Sequence, residues 1–276
     1  MCEIGQGLMG NFWVFLALTA AMGLSIFFSM PVVYSKRAQG RWAVGLNAAA
    51  IGILVFLLAD VFSNASVILY PSGYVANASY SVAFGAAFLV AFLGLYLVDN
   101  LPRRAPLGVA EGAAGGIPAR ADTGPRATAL IIALGIGLQN LTEGLVFGVN
   151  WTAGTVGILA VVFVGFFLQN MSEGFPIASP FLGTSAERGV PMMAGLFLVG
   201  GLPTIVGGAI GYYWSSPLFL VIFDALAIGA IAYVILPMLR TAFRPLESKD
   251  ASFRRNRLVY LGAMLGFLIG FAVNAI

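Results

Sequence analysis

Histidine is absent from this chain of 276 residues, and cysteine occurs once, at Cys2. The lack of His removes the commonest transition-metal ligand and the usual proton carrier at neutral pH. A single Cys excludes a disulfide framework within one chain, and we expect Cys2 to be an inert free thiol. Charged residues are also scarce, at 9% of the chain, against about 25% in an ordinary soluble domain.

What the chain has instead is apolar sequence, because 60% of its residues are hydrophobic and its mean hydropathy is +0.95. A spanning helix needs about 20 apolar residues, and eight stretches meet that requirement. They predict an all-α membrane protein whose single transmembrane domain covers residues 1–276. The predicted spans, numbered one to eight in chain order, are 12–34, 42–62, 80–99, 127–149, 153–178, 190–213, 217–239 and 258–276. Short connections predict that spans four and five, and spans six and seven, are antiparallel neighbours.

The basic residues predict the orientation of these spans. All 14 Lys and Arg residues fall in odd-numbered loops, and the even-numbered loops and both termini have none. Cytoplasmic loops collect Lys and Arg, so we expect a multi-pass protein of the cell (inner) membrane with both termini outside the cytoplasm. The net charge of +3 then reflects topology and contact with anionic lipid, and it does not indicate a nucleic-acid partner.

Two loops are long enough to describe from composition. The third, 100–126, is rich in Ala, Gly, Pro and Arg, which predicts a flexible cytoplasmic linker; a regulatory segment is the alternative. The second, 63–79, has no charged residue, and Pro71 and Gly73 predict an external turn there.

Two similar polar motifs interrupt the apolar sequence, "LQNLTEGL" at 138–145 in span four and "LQNMSEGF" at 168–175 in span five. Helical periodicity places a Gln, an Asn and a Glu of each motif on one polar arc. These candidate site residues are Gln139, Asn140, Glu143, Gln169, Asn170 and Glu173. Thr142 and Ser172 border the two arcs. In span four, Gly137, Gly144 and Gly148 form an opposite stripe suited to close helix packing, and in span five Pro176 predicts a bend.

The two motifs lie on spans of opposite direction, so they are related by inversion in the membrane plane. Inverted elements around a midplane site are a recurrent transporter design. Two close carboxylates repel unless a positive charge lies between them, and the predicted spans contain no Lys or Arg. We therefore expect a divalent cation between the motifs. The alternative is that the amides only hydrogen-bond the helices together.

Three more acids lie in or near spans. Asp60 is expected at the outer end of span two, Asp99 at the inner end of span three and Asp224 about two turns into span seven. An acid inside the membrane is a functional candidate by default. Asp60 and Asp224 are therefore candidates for the cation pathway. The favoured interpretation of Asp60 and Asp99 is an interfacial position, and a role on the access path is the alternative for both.

The two motifs, read as "GLQNLTEGL" and "LQNMSEGFPIA", resemble those of the bacterial branch of the ZIP family of divalent metal transporters. The resemblance extends to eight spans, external termini and a long third loop. It implies a binuclear metal site halfway across the membrane, with the six motif residues as ligands. By the same resemblance, Asp60 corresponds to an acid near the outer end of the family's second span.

The chain departs from that family at several positions. Gln139 stands where the family has His, and Thr142 and Ser172 stand where it has Pro. Leu202 precedes Pro203 in span six, where a Glu is frequent, and Pro237 and Met238 replace a His-Glu pair in span seven. These departures imply that one of the two metal positions is weakened or lost, and that the inner release path lacks its usual ligands.

The remaining ligand set is all oxygen, which favours harder divalent cations, although Zn²⁺ also binds carboxylates. We expect a carrier of Zn²⁺, Mn²⁺, Fe²⁺, Co²⁺ or Cd²⁺ with no organic cofactor. Two alternatives stay open: a ZIP-like protein that binds metal without transporting it, and a carrier for a cationic organic solute. No motif of a hydrolytic enzyme is present, so we do not expect an enzyme. Gly-rich spans three and eight could support a homodimer or serve packing within one chain.

Overall fold

The computed structural model describes residues 11–39, 42–100, 124–153, 156–214, 216–243 and 249–275. Cys2 and most of the predicted linker at 100–126 lie outside them. Described residues form eight helices long and apolar enough to cross a membrane, so the protein is an all-α, eight-span membrane protein as predicted. The spans cover Phe12–Tyr34, Ala43–Leu69, Ala78–Asp99, Pro125–Thr152, Leu159–Phe181, Val190–Tyr213, Pro217–Arg240 and Ser252–Asn274.

Two spans are broken, and five helices extend past these limits. Span one is an α-helix, Phe12–Leu24, followed by a 3-10 helix, Ser25–Tyr34, and span six divides into Val190–Gly201 and Pro203–Tyr213. The remaining α-helices are Lys36–Gln39, Ala43–Leu69, Ala78–Asn100, Pro125–Ala153, Val156–Ala178, Pro217–Ala242 and Lys249–Asn274, with a short 3-10 helix at Ser179–Phe181.

Span two is longer than predicted, because its helix continues to Leu69 and does not end near residue 62. Ser63 and Asn64 read as loop residues, yet they are exposed side chains on a helix whose Ala65 and Leu69 remain buried. Backbone hydrogen bonds hold a helix together whatever its side chains are. The predicted span was too short because it was ended where polar side chains begin. Asp60 consequently lies nine residues before the end of its helix and not at the outer end of the span.

Spans four and five are antiparallel neighbours, as predicted. Gln139 of span four bonds Glu173 of span five, and Asn170 of span five bonds Glu143 of span four. Residue numbers therefore rise along one helix as they fall along the other. Span five continues as a helix through Pro176 to Ala178.

The matching prediction for spans six and seven is wrong. Span six packs on spans one and four, whereas span seven packs on spans two, three and four. Span four thus lies between them. A short connection holds only two helix ends together, and the facing surfaces are free to pack elsewhere.

Span four packs closely on span six through the predicted glycine stripe. A Cβ added to Gly144 would lie 2.0 Å from the carbonyl oxygen of Thr204, and one added to Gly207 would lie 1.8 Å from that of Leu141. Gly137 and Gly148 approach span six in the same way. Only glycine permits such backbone contact. Because the glycine stripe faces span six, most of the polar arc on the opposite side of span four faces away from span six.

The packing repeats under an exchange of spans one, two, three and four with spans six, seven, eight and five. Span four packs on six as span five packs on one, and span two packs on eight as span seven packs on three. Residue positions agree as well: Gly144 approaches the carbonyl of Thr204, and Gly174 approaches that of Ile26. The bundle therefore has inverted pseudo-two-fold symmetry, as the fold prediction required.

Two glycines mark where the pseudo-two-fold axis crosses the bundle. A Cβ added to Gly23 would lie 2.3 Å from the Gly201 carbonyl oxygen, and the reciprocal distance is 2.2 Å. Each glycine lies next to the break in its own span: Gly23 is one residue before Leu24, where the first α-helix ends, and Gly201 directly precedes Leu202, which separates the two helices of span six. The two broken helices therefore touch at equivalent points.

Glycines of span eight serve packing within the chain. Gly262, Gly266 and Gly270 each pack on span two. Gly85 and Gly94 of span three have open space where a Cβ would be. Of the two spans suggested for a homodimer, only span three leaves its glycines available.

Candidate cation site

The candidate site lies at the crossing of spans four and five. All six predicted residues are buried: Gln139, Asn140, Glu143, Gln169, Asn170 and Glu173. Glu143 is 5% exposed and Glu173 is fully buried. Two carboxylates thus lie in the protein interior, and each needs neighbours that stabilise it.

Each carboxylate accepts hydrogen bonds from its own helix and from the opposite one. Glu143 accepts from Gln139 Nε2 at 3.0 Å, one turn earlier, and from Asn170 Nδ2 at 2.8 Å across the interface. Glu173 accepts from Gln169 Nε2 at 3.3 Å and from Gln139 Nε2 at 2.8 Å. The two motifs therefore interlock, and Gln139 bridges both carboxylates.

The fourth amide makes a different contact. Asn140 Nδ2 donates to the carbonyl oxygen of Gly200 at 3.0 Å, next to the break in span six. Its counterpart Asn170 donates to the Phe166 carbonyl as well as to Glu143. Asn140 is also a hydrogen-bond neighbour of Glu173, as Asn170 is of Glu143. The amide contacts therefore follow the symmetry of the two motifs, and the Gly200 contact is additional.

Five buried oxygen atoms of the site have no hydrogen-bond partner. They are Gln139 Oε1, Asn140 Oδ1, Gln169 Oε1, Asn170 Oδ1 and Glu173 Oε2. An unsatisfied buried acceptor costs about 1–3 kcal/mol, and every one of these atoms is an acceptor. No described donor reaches these five oxygens, as expected of a site that binds a cation.

Span one holds span five in position. Ser25 Oγ donates to the Phe167 carbonyl at 2.8 Å, and Ser29 Oγ donates to the Met171 carbonyl. Gly174 allows the close approach to Ile26 described above. Sequence reasoning missed these serines, whose only signal is that they are polar residues in an apolar span.

Hydroxyl groups beside the motif acids bond their own helices. Thr142 Oγ1 donates to the Leu138 carbonyl at 3.3 Å, and Ser172 Oγ donates to the Gln169 carbonyl at 2.8 Å. Both hydroxyls are therefore used locally and do not join the carboxylate network.

Asp60 and Asp224 lie near the site on spans two and seven. Val61, Ala227 and Ile228 form one buried cluster against which Leu138, the neighbour of Gln139, packs. Leu138 thus connects these acids to the motif of span four.

The two acids differ in their surroundings. Asp60 Oδ1 accepts a hydrogen bond from Asn274 Nδ2 at 2.6 Å. Asp224 is buried, and its Oδ1 has no partner. Asp60 is close enough to interact electrostatically with Asp224, Glu143 and Glu173.

Asp99 takes part in a separate contact at the end of span three. Its Oδ2 accepts a hydrogen bond from Tyr233 at 2.5 Å. Asp99 therefore ties span three to span seven, and the structure does not bring it into the central site.

The described basic residues lie at helix ends or, as Arg188 does, in a connection between helices. The spans prove to include Arg126, Arg240 and three arginines at the start of span eight, contrary to the prediction of spans free of them. Arg126 pairs with Glu187 at 2.6 Å. No described Lys or Arg bonds either motif Glu.

The ligand set is unusual for a metal. The described residues contain no group of three or more His, Cys, Asp or Glu that could hold a metal ion. A metal between spans four and five would depend on amide oxygens to complete its coordination. Such ligands suit hard cations.

The fold and the site define an eight-span membrane protein with a buried, oxygen-rich polar centre. No known protein-family model matches the chain. No curated protein matches it with significant similarity. Function is therefore argued from the site.

Proposed function

We propose that the protein is a divalent metal cation transporter whose cargo binds between spans four and five. The observation that carries this proposal is a pair of carboxylates without a basic partner among the described residues, in a site with five unpartnered oxygens, of which four are amide oxygens and one is Glu173 Oε2. The resemblance of both motifs to the ZIP family supports the same function. The metals in question are Zn²⁺, Mn²⁺, Fe²⁺, Co²⁺ and Cd²⁺.

The amides can serve both states of such a site. Without cargo, their N–H groups donate to the carboxylates and reduce the repulsion between them. Rotation of a terminal amide by half a turn exchanges its nitrogen and oxygen positions. Gln139, Gln169 and Asn170 would then offer carbonyl oxygens to a cation, while the carboxylates neutralise its charge.

The close contact between the two helices favours an ion over an organic solute. Gln139 Nε2 and Glu173 Oε1 are 2.8 Å apart across the interface. A metal ion can replace this hydrogen bond within the existing packing, whereas an organic cation must separate the helices. Asp60 and Asp224 would place negative charge along the route from the outer side.

Uptake into liposomes tests the proposal. We expect saturable uptake of at least one of the five metals, and a loss of at least tenfold in Glu143→Gln and in Glu173→Gln. Glu187→Gln is the matched control, because it removes an exposed carboxylate that pairs with Arg126. Absence of saturable uptake for all five metals would contradict transport.

Binding measurements separate transport from binding alone. If the unaltered protein binds a metal that both Glu variants fail to bind, and no uptake is seen, then the protein binds metal without carrying it. Thermal stabilisation by amines and not by metals would instead indicate a carrier for organic cations.

A further inference from the structure

Span eight has one face toward the protein and one face toward the outside of the bundle. Gly262, Gly266 and Gly270 each pack on span two, which defines the inner face. At about 100° per residue, Arg257 lies on the opposite side of the helix from Gly266, and Arg254 lies about 60° from Arg257. Both arginines are exposed. The outer face of span eight therefore carries two neighbouring guanidinium groups.

These two arginines have no acidic partner among the residues that the structure describes. Arg126, by contrast, pairs with Glu187. Residues three positions apart on a helix have Cβ atoms about 5–6 Å apart, and neighbouring like charges repel. An anion held between Arg254 and Arg257 would replace this repulsion with attraction.

An apolar strip continues from the arginines along the same face of the helix. Its exposed side chains follow one, two and three turns after Arg257, at Leu261, Met264 and Leu268. A rise of about 1.5 Å per residue places Leu268 about 16 Å beyond Arg257, which is close to half of the ~30 Å hydrocarbon thickness of a bilayer. The exposed rings of Phe253 and Tyr260 flank the arginines, as aromatic side chains do at a membrane interface.

We propose that this outer face of span eight binds a phospholipid with an anionic headgroup. The phosphate lies between Arg254 and Arg257, and an acyl chain follows the apolar strip toward Leu268. A guanidinium matches two phosphate oxygens in a fixed fork, which a point charge does not. A headgroup with its own ammonium group would bring a third positive charge to the arginines, so an anionic lipid is preferred. The lipid site lies on the surface of the bundle and does not depend on the proposed cation transport.

Native mass spectrometry of metal-free protein released from nanodiscs tests the preference. The nanodiscs contain equal amounts of phosphatidylglycerol and phosphatidylcholine with the same acyl chains, and the ratio of the two lipids retained on the protein is measured. We expect the unaltered protein to retain more phosphatidylglycerol than phosphatidylcholine. The double variant Arg254→Gln/Arg257→Gln should lower the ratio at least fivefold.

The matched control is Lys36→Gln/Arg37→Gln. It removes the same charge from exposed positions of a short helix at the same end of the bundle. We expect its lipid ratio to stay within twofold of that of the unaltered protein. An equal fall in both double variants would show that the positive surface as a whole attracts the lipid, and it would overturn the site.

Thermal unfolding separates loss of the site from loss of the fold. Because Arg254 and Arg257 are exposed, we expect their Gln variant to have the same midpoint as the unaltered protein in phosphatidylcholine. Phosphatidylglycerol should then raise the midpoint of the unaltered protein more than that of the variant, since a ligand stabilises the state that binds it. Arg254→Lys/Arg257→Lys keeps the charge without the fork, and its lipid ratio should fall between those of the other two.

Two further results would contradict the proposal. One is an unaltered protein that retains both lipids equally. The other is displacement of phosphatidylglycerol by an equal concentration of inorganic phosphate, which would identify a soluble anion as the ligand. Because all of these measurements are made without metal, their outcome is independent of whether the protein transports cations.

Discussion

Gln139 joins the two halves of the central site, because its single amide donates to Glu143 and to Glu173. No other described side chain bonds both carboxylates. Its position is the one where the resemblance to the ZIP family leads us to expect His. The replacement gives a ligand that offers oxygen to a cation and an N–H to a carboxylate, depending on its rotation.

Gln139→His should shift metal preference toward Zn²⁺. Imidazole is a softer ligand than an amide oxygen and suits Zn²⁺ better than Mn²⁺. We expect the ratio of Zn²⁺ to Mn²⁺ affinity to rise at least tenfold, as measured by equilibrium binding of both metals. The same substitution at Asn150, whose amide bonds its own helix, should leave the ratio unchanged. A constant ratio in Gln139→His would show that this residue is not a ligand.

The sequence could identify the six residues of the site because polar side chains repeated in an apolar chain are conspicuous. It could not reveal that Asn140 also bonds the Gly200 carbonyl of span six. That contact depends on which helix lies within reach of the amide, and neighbouring helices are set by tertiary packing. Asn47 was overlooked for a related reason. A single polar residue near a span end has no periodic signal, yet its Oδ1 is buried without a partner.

At the scale of helices, glycine contacts decide which spans pack together. The stripe on span four was visible in the sequence, but its partner, span six, was not. Chain connectivity suggested span seven as the neighbour of span six, and the glycine surfaces overrode it. Helix existence follows from local hydropathy, whereas helix pairing follows from the shapes of both surfaces.

Gly207→Ala should destabilise the bundle. Its Cβ would lie 1.8 Å from the Leu141 carbonyl oxygen, so the backbones of spans four and six must separate. Overpacking of this kind costs about 1–3 kcal/mol. We expect a lower midpoint in thermal unfolding followed by intrinsic fluorescence in detergent.

The control is Gly195→Ala on the same span, where open space surrounds the added methyl. Its midpoint should be unchanged or slightly higher, since Ala favours a helix over Gly by about 1 kcal/mol. Equal midpoints for the two variants would refute the close packing of spans four and six.

For the whole molecule, the charge pattern and the pseudo-two-fold symmetry both indicate eight spans that alternate in direction. Contacts require spans four and five to run in opposite directions and spans four and six to run together. An alternation of eight spans meets both conditions. The prediction that the termini lie outside the cytoplasm is based on the positions of the basic residues.

Cysteine labelling in intact cells tests the orientation. In a Cys2→Ser background, Ser72→Cys lies in the second loop and Ser185→Cys in the fifth, and both positions are exposed. We expect an impermeant maleimide to label only Ser72→Cys, and both sites after the cells are opened. The reverse pattern would place the termini in the cytoplasm.

The two halves of the bundle carry different chemistry at one pair of matched positions. Asn47 lies five residues before Gly52, and Asp224 lies five residues before Gly229. Gly52 approaches a carbonyl of span eight as Gly229 approaches one of span three. Asn47 lines a cavity at the end of the bundle where spans two, four and eight begin, while Asp224 is buried toward the opposite end.

If the protein is a transporter whose halves exchange conformations, as inverted repeats do, this mismatch makes the two directions of opening unequal in free energy. In the orientation that the basic loops predict, the outer opening would hydrate a carboxylate and the inner opening only an amide. Because hydration favours a charge far more than an amide, the cargo-free protein should rest open to the outside more often than a symmetric protein would. Asp224→Asn should weaken that bias, and Asn47→Asp should add one toward the inside. The labelling rates of Val221→Cys and Val44→Cys measure both shifts. The side to which the cargo-free protein opens would then depend on the difference between one carboxylate and one amide.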